Sequence, residues 1–350
     1  MRTIVWNEEK QSVDIIDQNV LPADYRIVSL LRYEDVIGAI SHMTVRGAPA
    51  IGVTAAYGMA LAAMRSDKSD LNALKVQLGK ISKEIGAARP TAVNLWNMLN
   101  RCLDLISTYE GHIDELKTQL LTFAHKLADE DVEMNKRLST FGADLINDGD
   151  RIVHHCNTGA LATVDYGTAL GVIRMAHEQG KKIHVYVDET RPRLQGARLT
   201  AWELKQYGIP YDIITDSSSG QLMQMGMVDK VFFGADRVAM NGDVANKIGS
   251  YMLALAAVDN RVPVYSVFPT STVDVSIASG KEIEIEQRDE REVLGISLNG
   301  EIVVPDGATA LNYAFDVTPN RLLTGLVTEH GVLYSPFFEK LGKIARKGQL

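Results

Sequence analysis

The spacing of apolar positions changes character along the chain. Thr3-Ile4-Val5-Trp6 and Val13-Asp14-Ile15-Ile16 flank the polar turn Asn7-Glu8-Glu9-Lys10, which predicts a small β element within residues 3–20. Residues 49–64 are almost wholly small and apolar and predict a helix buried on all sides, with Pro49 suited to its first turn. Leu71, Leu74, Leu78, Ile81 and Ile85 step by three and four, an amphipathic helix that Pro90 stops. The same proline is expected to start the next helix, which runs to about Tyr109. Leu116, Leu120, Phe123, Leu127, Met134, Leu138, Phe141 and Leu145 continue the helical stripe. Residues 21–148 thus read as helical, and residues 1–148 as an N-terminal, mostly helical domain with a short β element.

Asp148-Gly149-Asp150 is a turn signal, and beyond it the pattern alternates. Short apolar runs at 152–155, 183–187, 211–214, 230–233 and 262–267 predict strands. Helices are expected from about Ala160, around 197–207, after Asp216-Ser217-Ser218-Ser219, and at about 245–258. This alternation predicts an α/β domain over residues 149–350, a parallel sheet with helices on both faces. Ligands of such sheets sit at the carboxyl ends of the strands. Residues 281–290 begin by alternating charge with Ile and read as a strand edge or an ordered loop.

The length of 350 residues suits two domains and a large core. Hydrophobic residues at 46% and charged residues at 23% exclude a disordered, collagen-like or coiled-coil chain. A net charge of −8 argues against nucleic acid as the main partner, though a local basic patch would escape that argument. The most apolar stretch, residues 52–64, falls short of the ~20 residues that span a bilayer. The first residues turn polar too soon for a signal peptide. Two cysteines, Cys102 and Cys156, cannot staple a chain of this size, which points to a reducing compartment. The expectation is a soluble, cytoplasmic protein without membrane association.

Candidate chemistry clusters where strands end and helices begin. His155-Cys156-Asn157-Thr158-Gly159 follows a strand and precedes the expected helix. A thiol at a helix N-terminus is favoured as thiolate, and free N–H groups there hold phosphate. A buried structural cysteine fits the same pattern. His154 and His155, adjacent on a strand, point to opposite faces, a poor spacing for ligands, so no metal is expected. Gly234-Ala235-Asp236-Arg237 sets a carboxylate at a strand end, either toward a ligand or as a cap on the next turn. Asn246-Lys247-Ile248-Gly249-Ser250, read as opening a helix, offers Lys247 to a phosphate or to solvent and does not fit the P-loop pattern. Thr44-Val45-Arg46-Gly47-Ala48-Pro49-Ala50-Ile51-Gly52 is a phosphate cradle or a close-packed helix start. Ala88-Arg89-Pro90-Thr91 holds Arg89 between helices, toward a ligand or toward water. Asp188-Glu189-Thr190-Arg191-Pro192-Arg193-Leu194-Gln195-Gly196 is more polar than a strand-to-helix loop requires, as a site or as a self-paired surface loop. Their joint placement favours a site for a small phosphorylated molecule. Cys102, among Leu99, Leu103 and Ile106 on an apolar helical face, reads as core.

In register along nearly the whole chain, these motifs resemble the methylthioribose-1-phosphate isomerases. That family shares a superfamily with the regulatory subunits of the eukaryotic exchange factor for translation initiation. The likeness runs from the Trp6 strand through the motifs above to Ala314-Phe315-Asp316-Val317-Thr318-Pro319. A departure falls at Leu311-Asn312-Tyr313, where family members more often show Asn-Pro. The resemblance implies a helical N-terminal domain, a Rossmann-like C-terminal domain, a homodimer and no cofactor. It implies an isomerase of methionine salvage that takes 5-methylthioribose 1-phosphate to 5-methylthioribulose 1-phosphate. It assigns Cys156 and Asp236 as the catalytic pair, and Arg46, Gly47, Ala48, Arg89, Gln195, Asn246 and Lys247 as substrate contacts. Alternatives are isomerases of 5-deoxyribose 1-phosphate or ribose 1,5-bisphosphate. From another class, a non-catalytic regulatory module remains, whose relatives lack the Cys and Asp pair in the family pattern.

Overall fold

The structure, a computed structural model, describes residues 1–345. The chain divides into two compact units, Met1–Ser139 with Thr158–Gly171, and Thr140–Asn157 with the residues from Val172 onward. It passes between them at residues 139–140, 157–158 and 171–172, where the sequence pattern placed one boundary at Asp148.

In the first unit β1 (Ile4–Asn7) and β2 (Ser12–Ile16) form the expected antiparallel hairpin, with Ile4 opposite Ile15 and Trp6 opposite Val13. A third strand, β3 (Ile27–Leu30), pairs with β2 inside the stretch read as helical, which corrects that reading, and α1 (Tyr33–Ser41) follows. β3 buries only its last residue fully, so it lacks the apolar alternation that marks a strand. Then come α2 (Ala48–Met64), α3 (Leu71–Ala87), α4 (Val93–Thr108) and α5 (Ile113–Ala143). Every residue of α2 from Ala50 to Ala63 is buried, as its composition predicted. Its glycine allows the close approach of α4: a Cβ on Gly52 would lie 2.9 Å from the Asn94 carbonyl oxygen. α5 buries Leu116, Leu120, Leu127 and Leu138, but Phe141 in its last turn is exposed. Asp131, Asn135 and Ser139 of α5 are also buried, and Asp131 accepts a 2.8 Å hydrogen bond from the Val164 backbone.

The second unit carries β4 (Arg151–His154), α6 (Ala169–Glu178, whose first turn belongs to the first unit), β5 (His184–Asp188), α7 (Ala201–Tyr207), β6 (Tyr211–Ile214) and α8 (Ser219–Gln224). It continues with β7 (Lys230–Phe233), β8 (Arg237–Ala239), β9 (Val244–Lys247), α9 (Ser250–Asp259), β10 (Val264–Val267) and β11 (Val273–Asp274). The remaining elements are α10 (Arg291–Leu294), β12 (Ser297–Leu298), β13 (Glu301–Ile302), β14 (Phe315–Thr318), β15 (Gly325–Thr328), β16 (Gly331–Leu333) and α11 (Phe338–Ala345). The main sheet has the order β16-β15-β10-β7-β4-β5-β6 and is parallel except for β16. The class is therefore α/β, with α9 packed on β7 and β10 and α7 on β6. Val153, Val231, Phe233, Val264 and Leu253 belong to its core. A smaller sheet, β11-β8-β9-β14, lies beyond β7 in the chain.

Two expected helices start later than the pattern implied. The helix expected from Ala160 begins at Ala169, after a three-residue turn at Ala160–Ala162 and a bridge between Gly159 and Gly167. Gly167 has φ +93°, and a Cβ there would lie 2.4 Å from the Gly159 Cα, so these small residues serve backbone contact rather than helix. The helix expected from Ala245 begins at Ser250, and Asn246 and Lys247 lie on β9. Gly249, at φ +105°, breaks the chain between the two.

Candidate functional site

In the second unit β4 and β7 are parallel neighbours, with His154 opposite Phe232. Cys156 and Asp236 therefore leave the sheet at the carboxyl ends of adjacent strands. Cys156 is buried at 8% exposure and has φ +66°. Its N–H donates to Thr190 Oγ1 at 3.0 Å, and its carbonyl accepts from Thr200 Oγ1 at 2.7 Å. Asn157 donates to Thr200 Oγ1 at 3.1 Å and to the buried Glu203 carboxylate at 2.9 Å. The expectation that Cys156 opens a helix is corrected: the next α-helix along the chain starts at Ala169, after a three-residue turn at Ala160–Ala162, so Cys156 does not stand at a helix N-terminus of its own segment. Thr190, in the loop after β5, and Thr200, in the turn before α7, hold the Cys156 backbone instead.

Asp236 is half-buried on the link from β7 to β8. Its N–H donates to Ala245 O at 2.9 Å, which sets it beside the strand bearing Asn246 and Lys247. Phe232 and Phe233 are fully buried, and Phe232 stacks on Tyr265 at 5.2 Å between ring centroids. Asn246 donates to Ser250 Oγ at 2.8 Å. Lys247, 6% exposed, reaches the Ala314 carbonyl at 2.8 Å and lies 4.2 Å from the centre of the Phe315 ring. Asp316 accepts from the N–H groups of Gly249 at 2.7 Å and Tyr251 at 3.1 Å, and so caps α9. Burial pushes its carboxyl up to about 6.

Gln195 precedes a π-helical turn, Gly196–Thr200, that runs into α7. Gly196 is required there, because a Cβ would overlap the Asp188 carbonyl oxygen at 1.7 Å. The Gln195 side chain is buried, and among the described residues its Oε1 finds no hydrogen-bond donor. An unsatisfied buried acceptor costs about 1–3 kcal/mol until water or a ligand meets it.

The sequence reading missed the polar cluster behind Cys156. His155 Nδ1 lies 2.8 Å from Asp188 Oδ2, and its Nε2 lies 2.9 Å from the Ile248 carbonyl oxygen. Ser219 Oγ donates to Asp188 Oδ1 at 2.6 Å. Asp216 accepts from the N–H groups of Thr190 and Arg191 at 2.7 and 2.8 Å. Ligand atoms of His155, Asp188 and Asp216 fall within 4.8 Å of one another, but each of these residues is engaged in the hydrogen bonds just named. His154 is held neutral: burial pulls its imidazole down to about 3. Beside the Ile248–Gly249 turn lies a cleft of about 360 Å³, lined by Arg191 and Pro192 of the Asp188–Gly196 loop, by Ile248 and Gly249, and by Asp216, Val293 and Tyr313 among others; none of the nine residues assigned to catalysis or substrate contact lines it.

The other candidates belong to the first unit. Arg46 and Arg89 are half-buried there. Gly47 is the N-cap of α2 and Ala48 its first residue. Gly47 has φ +103°, and a Cβ would lie 2.4 Å from the Ala162 carbonyl oxygen, so only glycine fits. Arg89 precedes Pro90, and α4 starts at Val93, later than the proline suggested.

The mostly parallel sheet with its helices defines an α/β protein, and the family is defined by sequence. Over residues 44–335 the chain matches the initiation factor 2 subunit family, and it belongs to that family. It is 47% identical over 345 residues to the methylthioribose-1-phosphate isomerase of Desulforamulus reducens, spanning 98% of this chain and 99% of that protein. It is 49% identical over 343 residues to methylthioribose-1-phosphate isomerase 2 of Pseudothermotoga lettingae, spanning 98% of both. The crystal structure of 5-methylthioribose 1-phosphate isomerase from Pyrococcus horikoshii OT3 matches with TM-score 0.90 at 42% identity, over 98% of this chain and 96% of that one. The crystal structure of the translation initiation factor eIF-2B, subunit delta, from A. fulgidus matches with TM-score 0.87 at 41% identity, over 99% of both. Among the described residues, no helix is long and apolar enough to cross a membrane.

Proposed function

We propose that this protein is a sugar-phosphate isomerase that converts 5-methylthioribose 1-phosphate to 5-methylthioribulose 1-phosphate in methionine salvage. The observation that carries this reading is the near-full-length likeness, at 47% and 49% identity, to relatives named for that reaction. The placement of Cys156 and Asp236 at neighbouring strand ends supports it.

The substrate's anomeric oxygen carries phosphate, so the ring cannot open to a free aldehyde. Asp236 in its acid form donates a proton to the ring oxygen as the C1–O bond breaks. Hydrogen then moves from C2 to C1 while the C2 hydroxyl becomes the ketone and its proton passes to the carboxylate that Asp236 has become. Cys156 acts at this step in one of two ways, as thiolate base for a proton transfer or as stabiliser of the charged intermediate in a hydride transfer. Arg46, Gly47, Ala48, Arg89, Gln195, Asn246 and Lys247 contact the substrate in this reading, with the arginines on its phosphate. The open Oε1 of Gln195 supports its share. The protein acts as a homodimer in the cytoplasm.

The purified protein, given 5-methylthioribose 1-phosphate, 5-deoxyribose 1-phosphate and ribose 1,5-bisphosphate, should form ketose fastest from the first. Reaction in deuterated water separates the two transfers, since solvent deuterium at C1 of the product rules out hydride. A second reading, a regulatory module of translation initiation, is favoured by the name of the A. fulgidus protein. Turnover of none of the three sugar phosphates would support it.

A further inference from the structure

We propose that His155 is a positioning residue of the isomerase site, a clamp that ties the Cys156 end of β4 to the turn following Asn246 and Lys247. The clamp's role in catalysis rests on the isomerase reading; its geometry does not.

A carbonyl oxygen only accepts, so the 2.9 Å contact with Ile248 places a hydrogen on Nε2. Asp188 accepts from Ser219 on one oxygen and faces His155 Nδ1 with the other. In this proposal Asp188 is the carboxylate and accepts on both oxygens, so Nδ1 also carries a hydrogen and the ring is an imidazolium. The pair is 1% exposed on each side, so water does not compete for these bonds. Burial alone lowers an imidazole's affinity for its proton; here the bond to Asp188 and the charges of Asp188 and Asp216 outweigh it and hold His155 above its ordinary value. Asp316 from β14 and the neutral His154 are the other titratable groups that sense this charge, and Lys247 stands beside Asp316.

Packing makes the clamp stiff. The ring lies against Gly249, where a Cβ would come within 2.8 Å of Cε1 and 3.1 Å of Nε2. Cys156 is the next residue after His155, and Lys247 the residue before Ile248. One side chain thus links the backbone next to Cys156 to the turn after the strand bearing Asn246 and Lys247. Catalytic groups displaced by about 1 Å lose on the order of a hundredfold in rate, so this link acts on kcat.

The test combines kinetics with imidazole nitrogen NMR on the full chain. His155→Gln, which cannot bond both acceptors in the same geometry, should lower kcat at least tenfold with KM within threefold of the parent. Asp188→Asn, which keeps the shape but not the charge, should lower kcat in the same direction and serves where His155→Gln fails to fold. In the parent, the histidine signal that His155→Gln or Asp188→Asn alters should show both ring nitrogens protonated at a pH where free histidine is neutral. A neutral His155 ring there, or kcat within twofold of the parent in whichever of the variants fold, overturns the proposal. Absence of isomerase activity in the parent would remove the function reading while the NMR result still decides the clamp.

Discussion

Replacing Gly249 with alanine strains the second unit in two separable ways. At φ +105° an L side chain sits outside its favoured regions, at a cost of about 1–3 kcal/mol. The new Cβ would also lie 2.8 Å from His155 Cε1. That ring cannot retreat, because Asp188 and the Ile248 carbonyl hold it on two sides. Overpacking of this kind costs about 1–3 kcal/mol more. Gly180 supplies the comparison: its φ is +87°, and a Cβ there meets nothing within 4 Å. Gly180→Ala therefore pays the backbone term alone. With an m-value of about 2 kcal/mol/M in urea, the unfolding midpoint of Gly249→Ala should fall about 0.5–1.5 M further than that of Gly180→Ala. Circular dichroism follows the unfolding, and ketose formation follows the activity. Only Gly249→Ala should lose kcat, since only it forces the His155 ring and the Ile248–Gly249 turn apart. Equal midpoint shifts in the two variants would refute the overlap argument, and full activity in a destabilised Gly249→Ala would refute the coupling to the site.

Asp236→Asn and Cys156→Ser should each lose a hundredfold or more in turnover, the scale of a missing acid or base, while keeping the parent's circular dichroism; near-normal turnover removes that residue from its role. Cys102 should resist iodoacetamide in the native protein at pH 8, because burial pushes its thiol up to about 12; mass spectrometry showing it alkylated before unfolding contradicts its place in the core. Burial pushes Asp131 up to about 7 from an ordinary 3.8. The folded chain then keeps a proton that the unfolded chain releases from about pH 4 upward, so stability from this group falls as pH rises towards 7 and levels off above it. Asp131→Asn has no proton to keep, so its urea midpoint should gain on the parent's between pH 5 and pH 8; an unchanged difference at the two pH values would contradict the buried acid.

Much of the molecule was legible because periodicity is a local property. The small apolar run of α2, the hairpin of β1 and β2, and the strands at β4, β5, β6, β7 and β10 follow from residues read within a few positions of one another. Cys156 and Asp236 were legible as strand-end residues for the same reason. Strand order was not: β5 and β6 come between β4 and β7 in the chain, yet β4 and β7 pair. That pairing alone makes Cys156 and Asp236 neighbours along the sheet edge. β9 was read as helix because Val244-Ala245-Asn246-Lys247 has no alternation, and its strand character comes from the partners β8 and β14. His155 looked like an unsuitable metal ligand beside His154. Its partners lie 33 and 93 residues away, at Asp188 and Ile248. A buried polar side chain takes its meaning from the acceptors that burial brings to it, and only the folded chain selects those. The sequence by itself determined which segments fold and where a thiol and a carboxylate stand on them; the tertiary structure decided which strands lie side by side and what holds the thiol in place.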